Sequence, residues 1–251
     1  MRVVPLVMRR LLPSVAVLAL VLTGCQTERS NLDRAATVVV SGRVLQADGS
    51  PAGGVPVALE REPTLGEVVA GLVVIPLTLF TACLVDPPPA LCRGRSMERA
   101  TTSADGRYSL TLTGADTQTA FGNARSFTLS TGVRDPSGAV VSASFKVQTE
   151  ALTLPDLQLW QPAVTVAAGR IGWSPPAAGE YRVTVEDTAG QLVWSFDSPR
   201  AELIFDPRIL EDTTGSLAVS ARYTARADGT EVSIQRQSGR VAYRSGAGPP
   251  L

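Results

Sequence analysis

Apolar residues along most of this chain recur at every second position, in short runs. Val38, Val40, Gly42 and Val44 form one such run, Val55, Val57 and Leu59 a second, and Tyr108, Leu110 and Leu112 a third. A period of two sends successive side chains to opposite faces, so each run predicts a strand buried on one side. Asp48-Gly49 and Asp105-Gly106 punctuate these runs and supply the positive φ angles of tight turns. Strands are also predicted at Phe127-Thr128-Leu129, from Val141 to Val147 and at Leu152-Thr153-Leu154, with Asp135-Pro136-Ser137-Gly138 as a turn and Leu157-Gln158-Leu159-Trp160 closing the block. A second alternating block begins at Val164. It carries Ile171-Gly172-Trp173-Ser174-Pro175-Pro176, Tyr181 to Val185, Leu192-Val193-Trp194 and Leu217 to Tyr223, divided by turns at 187–190 and Asp228-Gly229. The alternation predicts an all-β chain whose strands fall in two successive blocks, with a flexible tail at 245–251.

Two stretches break the alternation. The first is the start, where Arg2, Arg9 and Arg10 precede an apolar run from Leu11 to Leu22 and then Thr23-Gly24-Cys25. A basic part followed by a short apolar part is the layout of a secretory signal, and the run is too short to cross a hydrocarbon core of about 30 Å. Leu22-Thr23-Gly24-Cys25 resembles the bacterial lipobox. That resemblance implies removal of residues 1–24, acyl chains on Cys25 as the new N-terminus, and an exported protein anchored to the cell membrane or outer membrane, facing away from the cytoplasm. Gln26, in place of aspartate after the cysteine, resembles sorting signals that permit outer-membrane placement. Residues 25–36 are polar and aperiodic, which predicts a flexible tether.

The second break lies between Glu62 and Thr101, where Val68 to Val85 is an 18-residue uncharged run containing Gly71 and Pro76, followed by Asp86-Pro87-Pro88-Pro89. A membrane crossing here would put neighbouring strands on opposite sides of the bilayer. The favoured expectation is an elaboration packed on the sandwich; the next is an apolar surface for a partner or the nearby membrane. Cys83 and Cys92 fall in this insertion (62–101), and in an exported chain an even pair is expected to form a disulfide.

Family resemblances attach to both blocks. Ser41-Gly42-Arg43-Val44, Asp48-Gly49-Ser50-Pro51, Gly54-Val55-Pro56-Val57-Ala58-Leu59 and the run from Thr102 to Leu110 resemble the carboxypeptidase regulatory-like domain, which implies a transthyretin-like β-sandwich and no peptidase activity of its own. Trp173 two residues before a proline, Tyr181 opening the next strand and the late alternating strand resemble a fibronectin type III sandwich. Together the resemblances imply two β-sandwiches in tandem, over residues 37–160 and 161–244.

Composition narrows the chemistry. The 251 residues include no histidine, which excludes Ser-His-Asp triads, Cys-His pairs and histidine-bearing zinc sites. Basic and acidic residues number 23 each, and losing three arginines with the signal leaves a slightly acidic chain, so phosphate neutralisation on nucleic acid is not expected. Carboxylates at Glu180, Glu186, Asp187 and Asp197 are candidates for glycosidase chemistry by residue type alone, because turns and strand ends account for them. Trp173 and Trp194 are expected in the core rather than on a sugar platform. No catalytic residue, cofactor or metal is therefore expected. The predicted role is a lipid-anchored, non-catalytic binding or structural module for a protein partner, with glycan or cell-wall binding as the alternative.

Overall fold

The computed structural model describes residues 28–62, 95–119, 122–132, 138–167, 169–210 and 214–244. The described residues form strands and turns with one 3-10 turn, Pro207–Leu210, and no α-helix. Cys25, Cys83, Cys92, the run from Val68 to Val85, the turn at 135–137 and the tail at 245–251 lie outside them.

Two layers enclose the first core. One contains β4 (Arg107–Thr113), β1 (Thr37–Leu45) and β7 (Ala151–Thr153) in that order, with β8 (Leu157–Gln158) beside the end of β1. β1 pairs antiparallel with β4 and parallel with β7 and β8. The facing layer contains β6 (Val140–Lys146), β5 (Ser126–Gly132), β2 (Pro56–Arg61) and β3 (Arg95–Thr101). Strict alternation explains which side chains meet: Val38, Val40, Leu110, Leu59, Phe127, Leu129 and Val141 all point inward and are buried. Phe127 and Phe145, opposite one another on β5 and β6, stack at 6.3 Å. Tyr108 lies across Gly42, its partner on β1, where any Cβ would collide with the phenol ring. Burial, and then the charge of Asp156, pushes the Tyr108 phenol well above its ordinary pKa.

The second core lies between β13 (Glu202–Ile204), β10 (Arg170–Ser174) and β9 (Ala163–Ala167) on one side, and β12 (Leu192–Ser198), β11 (Glu180–Asp187), β14 (Thr214–Ala227) and β16 (Val241–Arg244) on the other. Trp173 is buried and meets Tyr181 edge-on at 5.1 Å. Trp160, read from the sequence as closing the first block, packs in this second core and donates its indole N–H to the carbonyl of Pro175.

One hairpin belongs to both sandwiches. β14 continues through Asp228-Gly229, both at positive φ as a two-residue hairpin turn requires, into β15 (Thr230–Gln237). The far half of β14 pairs with β11 and β16, and β15 pairs with β6. A single nine-stranded sheet results, in the order β12-β11-β14-β15-β6-β5-β2-β3 with β16 also on β14. Ala227, Val232 and Ile234 near the hairpin tip fill the first core, while Leu217, Val219 and Ala221 fill the second.

Residues 28–36 depart from the expected flexible tether. Ala124 N–H bonds Glu28 O at 2.8 Å, Ser30 N–H bonds Gly122 O at 3.0 Å, and Gly114 and Ala115 donate to Ala36 and Arg34. Leu32 packs against the first core and its carbonyl accepts from the Gln118 amide at 2.6 Å. The bonds are to backbone, which hydrophobic periodicity does not register. The final part of the 62–101 interval is likewise sheet: β3 pairs with β2 along its length.

Candidate functional site

Three of the four carboxylates singled out by type serve local structure. Asp187 accepts from the backbone N–H of Ala189 and Gln191 and so closes the β11–β12 turn. Glu186 pairs with Arg240 at 2.7 Å. Asp197 is held by Arg182 through two bonds, Nε to Oδ1 at 2.7 Å and Nη2 to Oδ2 at 3.2 Å. That hydrogen-bonded guanidinium, helped by the charge of Arg222, lowers the Asp197 pKa below its ordinary value. Glu180, Arg182, Asp197 and Arg222 line a shallow cleft of about 320 Å³ on the outer face of the sheet. Within it Arg182 and Asp197 are already paired and Arg222 donates to Gln235 Oε1, and no group of three metal-ligating side chains occurs among the described residues.

The surface that stands out is apolar. β12 ends the nine-stranded sheet and, among the described residues, is hydrogen-bonded only to β11. Its register sets which way each residue faces. Trp194 and Phe196 lie opposite Val185 and Val183, which are buried, so both point toward the second core. Ser195 and Asp197 lie on the outer face, and the register shift at Val185/Glu186 leaves Val193 as a bulged residue between Trp194 and Leu192. Trp194, though core-facing, is 41% exposed; the bulged Val193 is 40% exposed, and Leu192, opposite Glu186 on the outer face, 63%. Ile204 on the facing sheet's edge strand β13 lies opposite Arg170, turned away from the core, and is 74% exposed.

Near-parallel aromatic rings line the open side of the sandwich here. Trp194 stacks on Phe196 at 5.7 Å with an interplanar angle of 17°, and Phe196 on Phe205 at 6.3 Å with 27°. Phe196 and Phe205 pack on the second core, whereas Trp194 reaches past it into solvent. The two tryptophans expected in the core thus part company: Trp173 is there, and Trp194 only leans on its margin. Alternation gave the right face for Trp194, and only the sheet order reveals that this face is uncovered.

No family model matches the chain, and none of the curated proteins does. Among solved structures it is similar to catechol 1,2-dioxygenase from Pseudomonas arvilla C-1, at 14% identity over 52% of this chain and 54% of that one, with a TM-score of 0.25. The corresponding enzyme from Acinetobacter sp. ADP1, inhibited by bound mercury, gives 10% identity, 56% and 48% coverage and a TM-score of 0.24. The shaft pilin SpaA from Lactobacillus rhamnosus GG gives 13% identity, 84% and 99% coverage and a TM-score of 0.30. The chain spans about half the length of the two dioxygenases. Likenesses this distant say nothing of chemistry, and the all-β architecture rests on the strand pairing above.

Proposed function

We propose that this chain is an exported lipoprotein, held to a cell membrane or outer membrane by acyl chains on Cys25 and facing away from the cytoplasm. It acts as a non-catalytic docking module for an envelope or extracellular protein. Its first sandwich is of the carboxypeptidase regulatory-like kind and its second is fibronectin type III-like, and Cys83 and Cys92 form a disulfide in the oxidising compartment.

The observation that carries the docking role is the exposed apolar edge formed by Leu192, Val193 and Trp194 on β12. An edge strand offers unpaired backbone donors and acceptors in a row, and apolar side chains beside that row give an incoming strand something to bury. The occupant that fits both features is an extended segment of another protein. The absence of histidine and the use of Glu186, Asp187 and Asp197 in ion pairs and a turn support a non-catalytic role. The stacked Trp194 favours a second reading, a glycan laid against its ring.

A photo-cross-linking residue at Val193, compared with one at Ser142 on the polar sheet face, separates these readings. A discrete protein adduct from position 193 that Trp194→Ala abolishes and soluble oligosaccharides do not compete is the expected result. Equal labelling at both positions, or competition by sugar, overturns the protein-docking role. Membrane fractionation of Cys25→Ala tests the anchor: the variant is expected in the soluble fraction after signal cleavage, and its retention in the membrane overturns lipid as the sole anchor.

A further inference from the structure

Only Gln26 and Thr27 separate Cys25 from Glu28, the first described residue, whose carbonyl is bonded to Ala124 N–H. Three steps of fully extended chain reach at most about 11 Å. On the reading that Cys25 is lipidated, we infer that the protein stands on the bilayer by one end of its first sandwich, with the second sandwich held away from the lipid surface.

The end in question is identified by what lines it. Glu28, Asn31, Glu62, Lys146, Asp228 and Glu231 border one cavity of about 700 Å³. Lys146 pairs with Glu28 at 3.6 Å, and Glu62 N–H bonds Ser126 O, whose strand partner is Lys146. Arg61 is paired with Arg95 in the β2–β3 ladder, so both attachments of the segment whose sequence holds the uncharged run Val68 to Val85 lie at this same end. The cavity lining itself carries four carboxylates against Lys146 and so has no net positive charge to offer, and attraction to anionic headgroups is not what seats this end. The short tether does, and the contact is with the lipid surface as such.

β14 sets the height of everything else. Its Ala227 end adjoins Asp228 at the cavity, and Leu192 lies in register with Glu186 and then Ser216 on β14. The twelve steps from Ser216 to Asp228 amount to roughly 40 Å of strand at about 3.3 Å per residue. The apolar edge of β12 is therefore presented well clear of the membrane, within reach of a partner that does not itself embed in the headgroups.

The test uses the full-length acylated protein in phosphatidylcholine vesicles containing lipids with nitroxide-labelled headgroups. A fluorophore is attached at Asn31→Cys or Ile204→Cys, with the parent chain as the labelling control. Quenching at position 31 several-fold greater than at position 204 is expected, and a long Gly/Ser linker inserted between Thr27 and Glu28 should bring the two close together. Equal quenching at 31 and 204 in protein whose mass includes the acyl chains overturns this inference alone. Quenching at 31 that survives the linker overturns it too, since tether length would then not set the geometry. A mass showing Cys25 without acyl chains overturns the lipid reading and the inference with it.

Discussion

Strands β3 and β12 end the same sheet, each hydrogen-bonded on one side only among the described residues, yet they are built to opposite ends. β3 reads Arg-Ser-Met-Glu-Arg-Ala-Thr, and Glu98 reaches from it to accept the backbone N–H of Thr111 on β4, tying one sheet's edge to the other. β12 reads Leu-Val-Trp-Ser-Phe-Asp-Ser and leaves its three leading apolar residues in water. Charged residues on an edge discourage the addition of another strand, and bulky apolar ones invite it. The contrast teaches that exposure at β12 is not a general tolerance of this fold for open edges, since the opposite edge of the same sheet is guarded.

Perturbations of decreasing size probe that contrast. Trp173→Ala removes the ring that packs on Tyr181 in the second core and is expected to cost about 3–5 kcal/mol, seen as a lower urea midpoint together with loss of the Val193 cross-link. Ile234→Ala, in the first core but on the shared hairpin, is expected to cost about 2–5 kcal/mol. All three tryptophans, Trp160, Trp173 and Trp194, lie in the second sandwich, so their fluorescence reports on that half alone. One cooperative unit requires the fluorescence transition to move with Ile234→Ala; an unmoved midpoint would show that the sandwiches unfold separately and that the two edges do not share one structural fate.

Trp194→Ala should cost no more than about 1–2 kcal/mol, because much of the ring is already solvated, while abolishing the partner adduct. A large stability loss would make Trp194 a core residue after all and remove the distinction between the edges. Glu98→Ala is expected to cost about 0.5–1.5 kcal/mol by freeing one backbone donor on β4, measurable by denaturation with faster amide exchange at Thr111. The smallest effect is at Asp197. Its pKa is lowered in the fold, so its contribution is present above the unfolded carboxylate value of about 3.9 and is lost as pH falls through the folded value. Stability of the parent should therefore decline below about pH 4 slightly more than that of Asp197→Asn, by thermal melts across that range.

Much of the fold was legible where one face of a strand is buried and the other wet. Val38, Val40, Val57, Leu59, Leu110 and Leu129 announced their strands by alternation, and Asp48-Gly49, Asp105-Gly106 and Asp228-Gly229 announced their turns; Gly49, Gly106, Asp228 and Gly229 all adopt positive φ. β3 was not legible, because an edge strand of polar and charged residues has no buried stripe to alternate. The docking of residues 28–36 was hidden for a related reason, since carbonyls and amides carry it rather than side chains. Alternation tells which face a residue takes but not which sheet its strand joins. The passage of the β14–β15 hairpin from one core into the other therefore left no sign in Val232 and Ile234 themselves. The candidate site suffered the same blindness: Leu192-Val193-Trp194 reads as a strand, and whether it lies at a sheet's centre or its margin depends on pairings far away in sequence.

The shared hairpin also has a mechanical meaning. Bonds of an antiparallel ladder run perpendicular to the strands, so a pull directed along β14 loads the ladder sideways and stresses many bonds at once rather than opening them one by one. A chain fastened near Glu28 and tugged at β12 has no loose linker to stretch between its halves, because β14 is continuous from one core to the other. Tension between anchor and partner would thus be borne in shear by a single stiff ribbon, and the protein would transmit it as a strut does.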